Sequence, residues 1–272
     1  MEGEDEESDA DGAFCNKSIP KRMLIVIAGA AMNLILGFVL MTLLVFLQGT
    51  PVSTTIADFS ENAISSEQLQ IGDRVLSVDG TRVHTGNELV YEVMNKGYEP
   101  IDIKVERDGE KVLLEDVEFP TLTDSGVTFG DYDFILYAEK TTLPTLMKHA
   151  WWRSVSTVKM VYDSLIGMVT GRFGMNAVSG PVGVAEVVGD AAKVGLTSFL
   201  YIVAVLTINL GVFNLIPFPA LDGGRFLFLI IEGVRGKPIN RNVESYINFV
   251  GIMLLFALMI FVTVKDVLNL FV

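Results

Sequence analysis

The 272-residue chain is 50% hydrophobic with a mean hydropathy of +0.46, which excludes an ordinary water-soluble globular protein. Its net charge of −13 argues against a nucleic-acid partner. A single cysteine, Cys15, excludes an internal disulfide and a cysteine-based metal cluster.

Residues 1–18 read as a polar, solvated cytoplasmic tail or loop, with Glu2, Glu4, Asp5, Glu6, Glu7, Asp9 and Asp11 close together. Residues 19–48 form the first membrane-span candidate, since Leu24–Leu47 carries no charge and is too long for a signal peptide. Residues 52–119 then change character. Short alternating runs are separated by Asp79-Gly80 and Asp108-Gly109, pairs that favour tight turns between strands. Asn87–Asn95 between them has helical spacing, so this stretch reads as a small, mostly β domain with one helix, inserted between membrane spans.

Residues 120–143 show no clear periodicity and read as irregular. They open a connecting region, 120–195, whose stretch from Pro144 to about Thr170 is amphipathic and helical. Trp151 and Trp152 beside Arg153 fit a membrane interface, an ordinary core helix being the alternative. Gly180-Pro181-Val-Gly183 reads as a loop leading into a further short helix. Residues 196–224 form the second span, 225–244 a basic cytoplasmic loop (Arg225, Arg235, Lys237, Arg241), and 245–265 the third span. Basic residues favour the cytoplasmic side, so Lys17, Lys21, Arg22 and the 225–244 loop place both segments inside, and the β domain outside. The expected fold is therefore an α-helical polytopic membrane protein with three transmembrane helices and an inserted α+β domain.

The second span ends in Asn214-Leu-Ile-Pro217-Phe-Pro219-Ala-Leu221-Asp222-Gly223-Gly224. Pro217 and Pro219 remove backbone donors and break the helix. A broken helix at membrane depth is tolerated only inside protein or beside a watery cavity. A carboxylate there costs roughly 2.5–3.5 kcal/mol on insertion scales and so marks a functional position. A plain Asp-Gly turn is the alternative. Asn33 and Asn209, also within spans, read as hydrogen bonds between helices.

Asn214 through Gly224 resembles the N-x-x-P-x-P-x-L-D-G-G signature of site-2 proteases, the intramembrane zinc metalloproteases. Gly180–Gly183, Glu232–Ile239, the Asn16-Lys-Ser stretch before the first span and Asp266 look like the bacterial regulator-of-sigma branch. Leu69-Gln-Ile-Gly72-Asp73-Arg-Val-Leu-Ser-Val-Asp79-Gly80 is similar to a PDZ signature, making 52–119 a PDZ-like extracytoplasmic domain.

The resemblance implies zinc-assisted peptide hydrolysis. Zinc needs three protein ligands and an open position for water. Family members supply two from an H-E-x-x-H helix and the third from the Asp that corresponds to Asp222. Asn214 corresponds to a residue thought to stabilise the substrate carbonyl. Pro217, Pro219, Gly223 and Gly224 are expected to leave backbone groups free for an extended substrate. Implied substrates are single-span membrane proteins such as anti-sigma factors, with a possible peptide at the PDZ-like domain, in the bacterial inner membrane.

The chain departs from the family in holding two histidines, His84 and His149, neither in H-E-x-x-H, and both read as plain surface or interface residues. Ala30 also stands where many relatives have Pro before the Asn at position 33. The expectation is a chain missing the H-E-x-x-H helix, with one zinc ligand and no activity alone. Two other functions stay open: a non-catalytic adaptor acting through the PDZ-like domain, and a transporter with a discontinuous helix.

Overall fold

The structure is a computed structural model and describes residues 13–124, 126–174 and 178–269. Most of the acidic tail at 1–12 lies outside the described residues. Contacts divide the chain into two units, 1–37 with 179–272, and 38–178.

Three helices are long and apolar enough to cross a membrane. They are α1 (Ile19–Gln48), α5 (Leu196–Leu215) and Asn242–Leu268 of α7 (Arg241–Asn269), with mean hydropathies of 2.5, 2.0 and 2.6. Only 11% of the α7 window is buried within the protein, so its exposed Phe249, Leu254, Phe256 and Phe261 call for a lipid surround.

In the first unit, α4 (Pro181–Val194) packs on α5 and α7. The Gly180–Gly183 stretch is tied to α7 by Asp266, whose Oδ2 accepts from the Gly180 N–H at 2.8 Å and the Gly183 N–H at 2.9 Å. A carboxylate on another helix thus caps α4, answering two of the donors a helix start leaves open. Two of the four features that looked like the sigma-protease branch, Gly180–Gly183 and Asp266, are thus one contact. Helix α6 (Asp222–Arg235) occupies much of the segment expected as a basic loop at 225–244. Its start, Gly223-Gly224, has poor helix propensity, which hid it in the sequence. Arg22 on α1 donates to Glu232 on α6 at 2.5 Å, with both side chains 16% exposed.

The second unit holds an antiparallel sheet in the order β5 (Glu110–Val117), β4 (Ile101–Arg107), β2 (Arg74–Val78), β1 (Val52–Phe59), β8 (Phe134–Ala138), with β3 (Thr81–Arg82) paired to β2. Asp79-Gly80 and Asp108-Gly109 take positive φ at both positions (43° and 74°; 52° and 86°), as hairpin turns require. Helix α2 (Gly86–Lys96) lies where Asn87–Asn95 predicted it, and buries Leu89 and Val93 against Ile56, Val78, Ile103 and Val105.

The sheet does not close at residue 119. Residues 120–143 contain the hairpin β6 (Thr121–Asp124) and β7 (Val127–Gly130), then β8, which pairs with β1. Strands of four and five residues are too short to display a period. Phe134-Ile-Leu-Tyr-Ala alternates only in burial, not in polarity.

Helix α3 (Leu143–Val169) confirms the amphipathic segment, but its tryptophans diverge. Trp151 is 56% exposed and meets Phe38 edge-on at 6.0 Å, whereas Trp152 stacks on the His84 ring at 3.5 Å. A seam of charge joins α3 to α2. Lys159 Nζ bonds Glu92 at 2.8 Å and Asp163 at 2.7 Å, and the Tyr91 hydroxyl donates to Asp163 at 2.7 Å. Burial and then the Asp163 carboxylate push the Tyr91 phenol far above its ordinary value.

His149 is no surface residue. It is 2% exposed, and its Nε2 lies 3.2 Å from Glu139. Burial holds its imidazole below the usual value, outweighing the Glu139 carboxylate. The folded protein therefore binds this proton less readily than the unfolded chain, and stability is lost as pH falls below about 6.5. Tryptophan fluorescence of the detergent-solubilised chain is expected to report a lower unfolding midpoint at pH 5 than at pH 7. In His149→Gln that part of the slope should be missing. Glu139 contributes separately. Burial raises its carboxyl, but bonds from Lys148 and His149 outweigh this and hold it low, so its window lies below about pH 4.5.

Candidate active site

The apolar helix α5 stops at Leu215 because the residue before a proline is driven out of the helical region. Ile216 is extended, with φ −64° and ψ 135°. The segment 216–221 then accounts for all its backbone donors. Ile216 N–H reaches Phe213 O at 3.0 Å, Phe218 N–H reaches Ile216 O at 2.7 Å, and Leu221 N–H reaches Phe218 O at 3.2 Å. Pro217 and Pro219 have none to place. The remaining donor, Ala220 N–H, goes to Asn248 Oδ1 on α7 at 3.2 Å.

Phe218–Leu221 has the makings of a type II turn, with Pro219 second and positive φ third. The third residue is Ala220 at φ 76°, where glycine or asparagine is usual. A non-glycine residue held there stores about 1–3 kcal/mol, and such strain clusters at functional sites.

Asp222 follows as the first residue of α6, where the helix dipole favours an anion. It is half-buried, and its carboxylate makes no hydrogen bond or ion pair among the described residues. A Cβ placed on Gly29 of α1 would stand 3.5 Å from Asp222 Oδ2, so α1 approaches the carboxylate closely here. Gly223 and Gly224 are buried. A Cβ on Gly223 would come within 2.5 Å of Leu215 O, and one on Gly224 within 2.9 Å of Phe218 C. The need for glycine at both positions is thus explained by the first turn of α6 lying directly on the end of α5, at Gly223, and on the Phe218–Pro219 turn, at Gly224.

Asn214, in the last turn of α5, is half-buried with no side-chain partner among the described residues. Asn214 and Asp222 each adjoin one member of the Leu215–Gly223 contact. The helix-to-helix hydrogen bonds expected of Asn33 and Asn209 are not formed among the described residues.

An unpaired carboxylate suits one position of a zinc site. The rest of the set is missing here: among the described residues no group of three or more His, Cys, Asp or Glu is placed to hold a metal. His84 and His149 are engaged with Trp152 and Glu139 instead. Sequence reasoning overlooked Asn248, Gly251 and Gly29. A polar Asn inside the third span was the available signal for the first.

The model of peptidase family M50 matches residues 1–258. The chain belongs to peptidase family M50, the site-2 proteases. Among its relatives is zinc metalloprotease RasP of Shouchella clausii, 36% identical over 262 residues, covering 95% of this chain and 62% of that protein. The regulator of sigma-W protease RasP of Bacillus subtilis is 34% identical over 260 residues, covering 95% and 61%. A putative zinc metalloprotease of Clostridium perfringens is 34% identical over 272 residues, covering 98% and 79%. The M50 chain described here thus spans just over three-fifths of the length of the two RasP proteins.

Proposed function

We propose that this chain supplies the Asp222 side of an intramembrane zinc metalloendopeptidase that cuts membrane-spanning segments of its substrates. The observation that carries the reading is the unpartnered Asp222 carboxylate, presented on a turn at the end of a proline-broken apolar helix. Family membership and the zinc-metalloprotease names of the relatives support it. When bound, zinc supplies a Lewis acid and a water of lowered pKa. Asp222 offers it one anionic oxygen ligand, and the remaining ligands come from outside the described residues. Asn214 offers an amide N–H to the substrate carbonyl, where negative charge develops during acyl transfer. The loop 216–221 keeps its own backbone donors paired. The broken helix is therefore stable at membrane depth without the substrate.

The basic residues Lys21, Arg22, Arg225, Arg235 and Lys237 support a cytoplasmic site and an extracytoplasmic sheet unit. That unit, with its helix α2 and edge strand β8, is read as PDZ-like, capturing peptide by adding a strand. The sigma-W name of the Bacillus subtilis relative supports anti-sigma factors as the substrate class.

A non-catalytic adaptor is favoured by one observation, the lack of any group of three or more metal donors among the described residues. One experiment separates the two. The natural gene product, with all the sequence its gene encodes, is purified and given a single-span reporter. The protease reading expects bound zinc, and cleavage that 1,10-phenanthroline stops and added zinc restores. A product with neither zinc nor cleavage makes the adaptor reading the right one.

A further inference from the structure

We propose that Asn248, on the third span, is a positioning residue that locks the Asp222 turn in place. The proposal rests on the protease reading. Of the six residues from Ile216 to Leu221, two are prolines and three place their N–H groups on nearby carbonyls of the same chain segment. Ala220 alone turns to another element, and the acceptor is Asn248 Oδ1 at 3.2 Å. At membrane depth an unpaired N–H has no water to turn to, so this acceptor decides whether the turn is tolerated. Ala220 is also the strained residue, at φ 76°. A bond at the point of strain is what keeps an unfavourable backbone conformation populated.

One turn further along the same face of α7, Gly251 brings the helix against Pro219. A Cβ there would meet Pro219 O at 2.6 Å and Pro219 Cβ at 2.7 Å. Asn248 and Gly251 therefore grip successive residues of the turn, two and three positions before Asp222. Nothing else in α7 calls for an asparagine at 248, since its neighbours Phe249 and Val250 are exposed and apolar. The position of the Asp222 oxygens is thereby set by the third span as well as by α5 and α6.

The test uses the natural full-length product. Asn248→Leu keeps the volume and removes the acceptor, Asn248→Asp keeps an acceptor oxygen, and Gly251→Ala pushes on the turn from the other contact. Two readouts are taken. The first is maleimide labelling of a cysteine at position 221 (Leu221→Cys, in a Cys15→Ser background) in native membranes. The second is kcat and KM for the reporter, together with zinc retained against a chelator.

The expected result is labelling several-fold faster in Asn248→Leu and Gly251→Ala. In Asn248→Leu, kcat and zinc retention should fall about 10–100-fold, the scale of outer-sphere support for a metal site, with KM little changed. Asn248→Asp should restore both. Unchanged labelling in Asn248→Leu overturns the proposal. Faster labelling with wild-type kcat and zinc retention also overturns it, because the clamp then positions nothing that matters to the reaction. A wild-type protein that cuts nothing and binds no zinc removes the protease reading. The labelling result still decides the clamp in that case.

Discussion

Asp222→Asn in the natural full-length product is expected to reduce reporter cleavage at least 100-fold while leaving the fold intact. Loss of groups that merely orient metal ligands costs 10–100-fold, so loss of a ligand itself lies at or beyond that range. The amide is isosteric but carries no charge to hold zinc. The structural cost is small because the carboxylate has no hydrogen-bonding partner among the described residues to abandon. What is lost is its interaction with the α6 dipole, about 0.3–1 kcal/mol. Against that, removing a charge from membrane depth recovers part of an insertion cost of roughly 2.5–3.5 kcal/mol. The unfolding midpoint of the variant in detergent should therefore equal or exceed that of the zinc-stripped wild type, while activity and bound zinc disappear. An inactive variant that is less stable than the zinc-stripped wild type would identify Asp222 as structural and remove it from the metal site.

Gly223→Ala should do the opposite and unfold the site. The added Cβ would fall 2.5 Å from Leu215 O and 2.6 Å from Leu215 C. Both are main-chain atoms at the end of a membrane helix and cannot swing aside like a side chain. Overpacking a well-filled core costs about 1–3 kcal/mol, occasionally more, and this position belongs at the upper end. Gly189 provides the control. It lies inside α4 with nothing within 4 Å of its missing Cβ, so Gly189→Ala should stabilise by about 1 kcal/mol through helix propensity alone. Unfolding in a denaturing detergent series would measure both. Equal tolerance of alanine at 189 and 223 would show that α5 and α6 do not pack as described.

Several elements were legible in the sequence. The charge-free runs predicted α1, α5 and α7, because a helix in lipid must be apolar over a length set by the bilayer. The Asp-Gly pairs predicted two hairpin turns, because their geometry demands positive φ. Pro217 and Pro219 predicted where α5 ends, a purely local consequence of a missing donor and a fixed φ. The family signature singled out Asp222 for the same reason: it is a compact string of locally constrained residues.

Other features had no local cause to read. Strand β8 is a strand because β1 offers it an edge, and β1 lies some 80 positions earlier. Helix α6 forms despite Gly223-Gly224, because those glycines let it lie against the end of α5 and the turn that follows it. His149 and Trp152, which looked like surface or interface residues, are taken up by Glu139 and His84. Asp266 gained meaning only when α4 arrived to be capped, and Asn248 only when Ala220 was left with a donor to place. What the sequence by itself determined is everything governed by a residue and its near neighbours: span, turn, helix end and the carboxylate that follows. Which distant groups would satisfy the donors, acceptors and close contacts left over was decided by tertiary structure alone, since a contact between residues 10 or more positions apart leaves no periodicity in the chain.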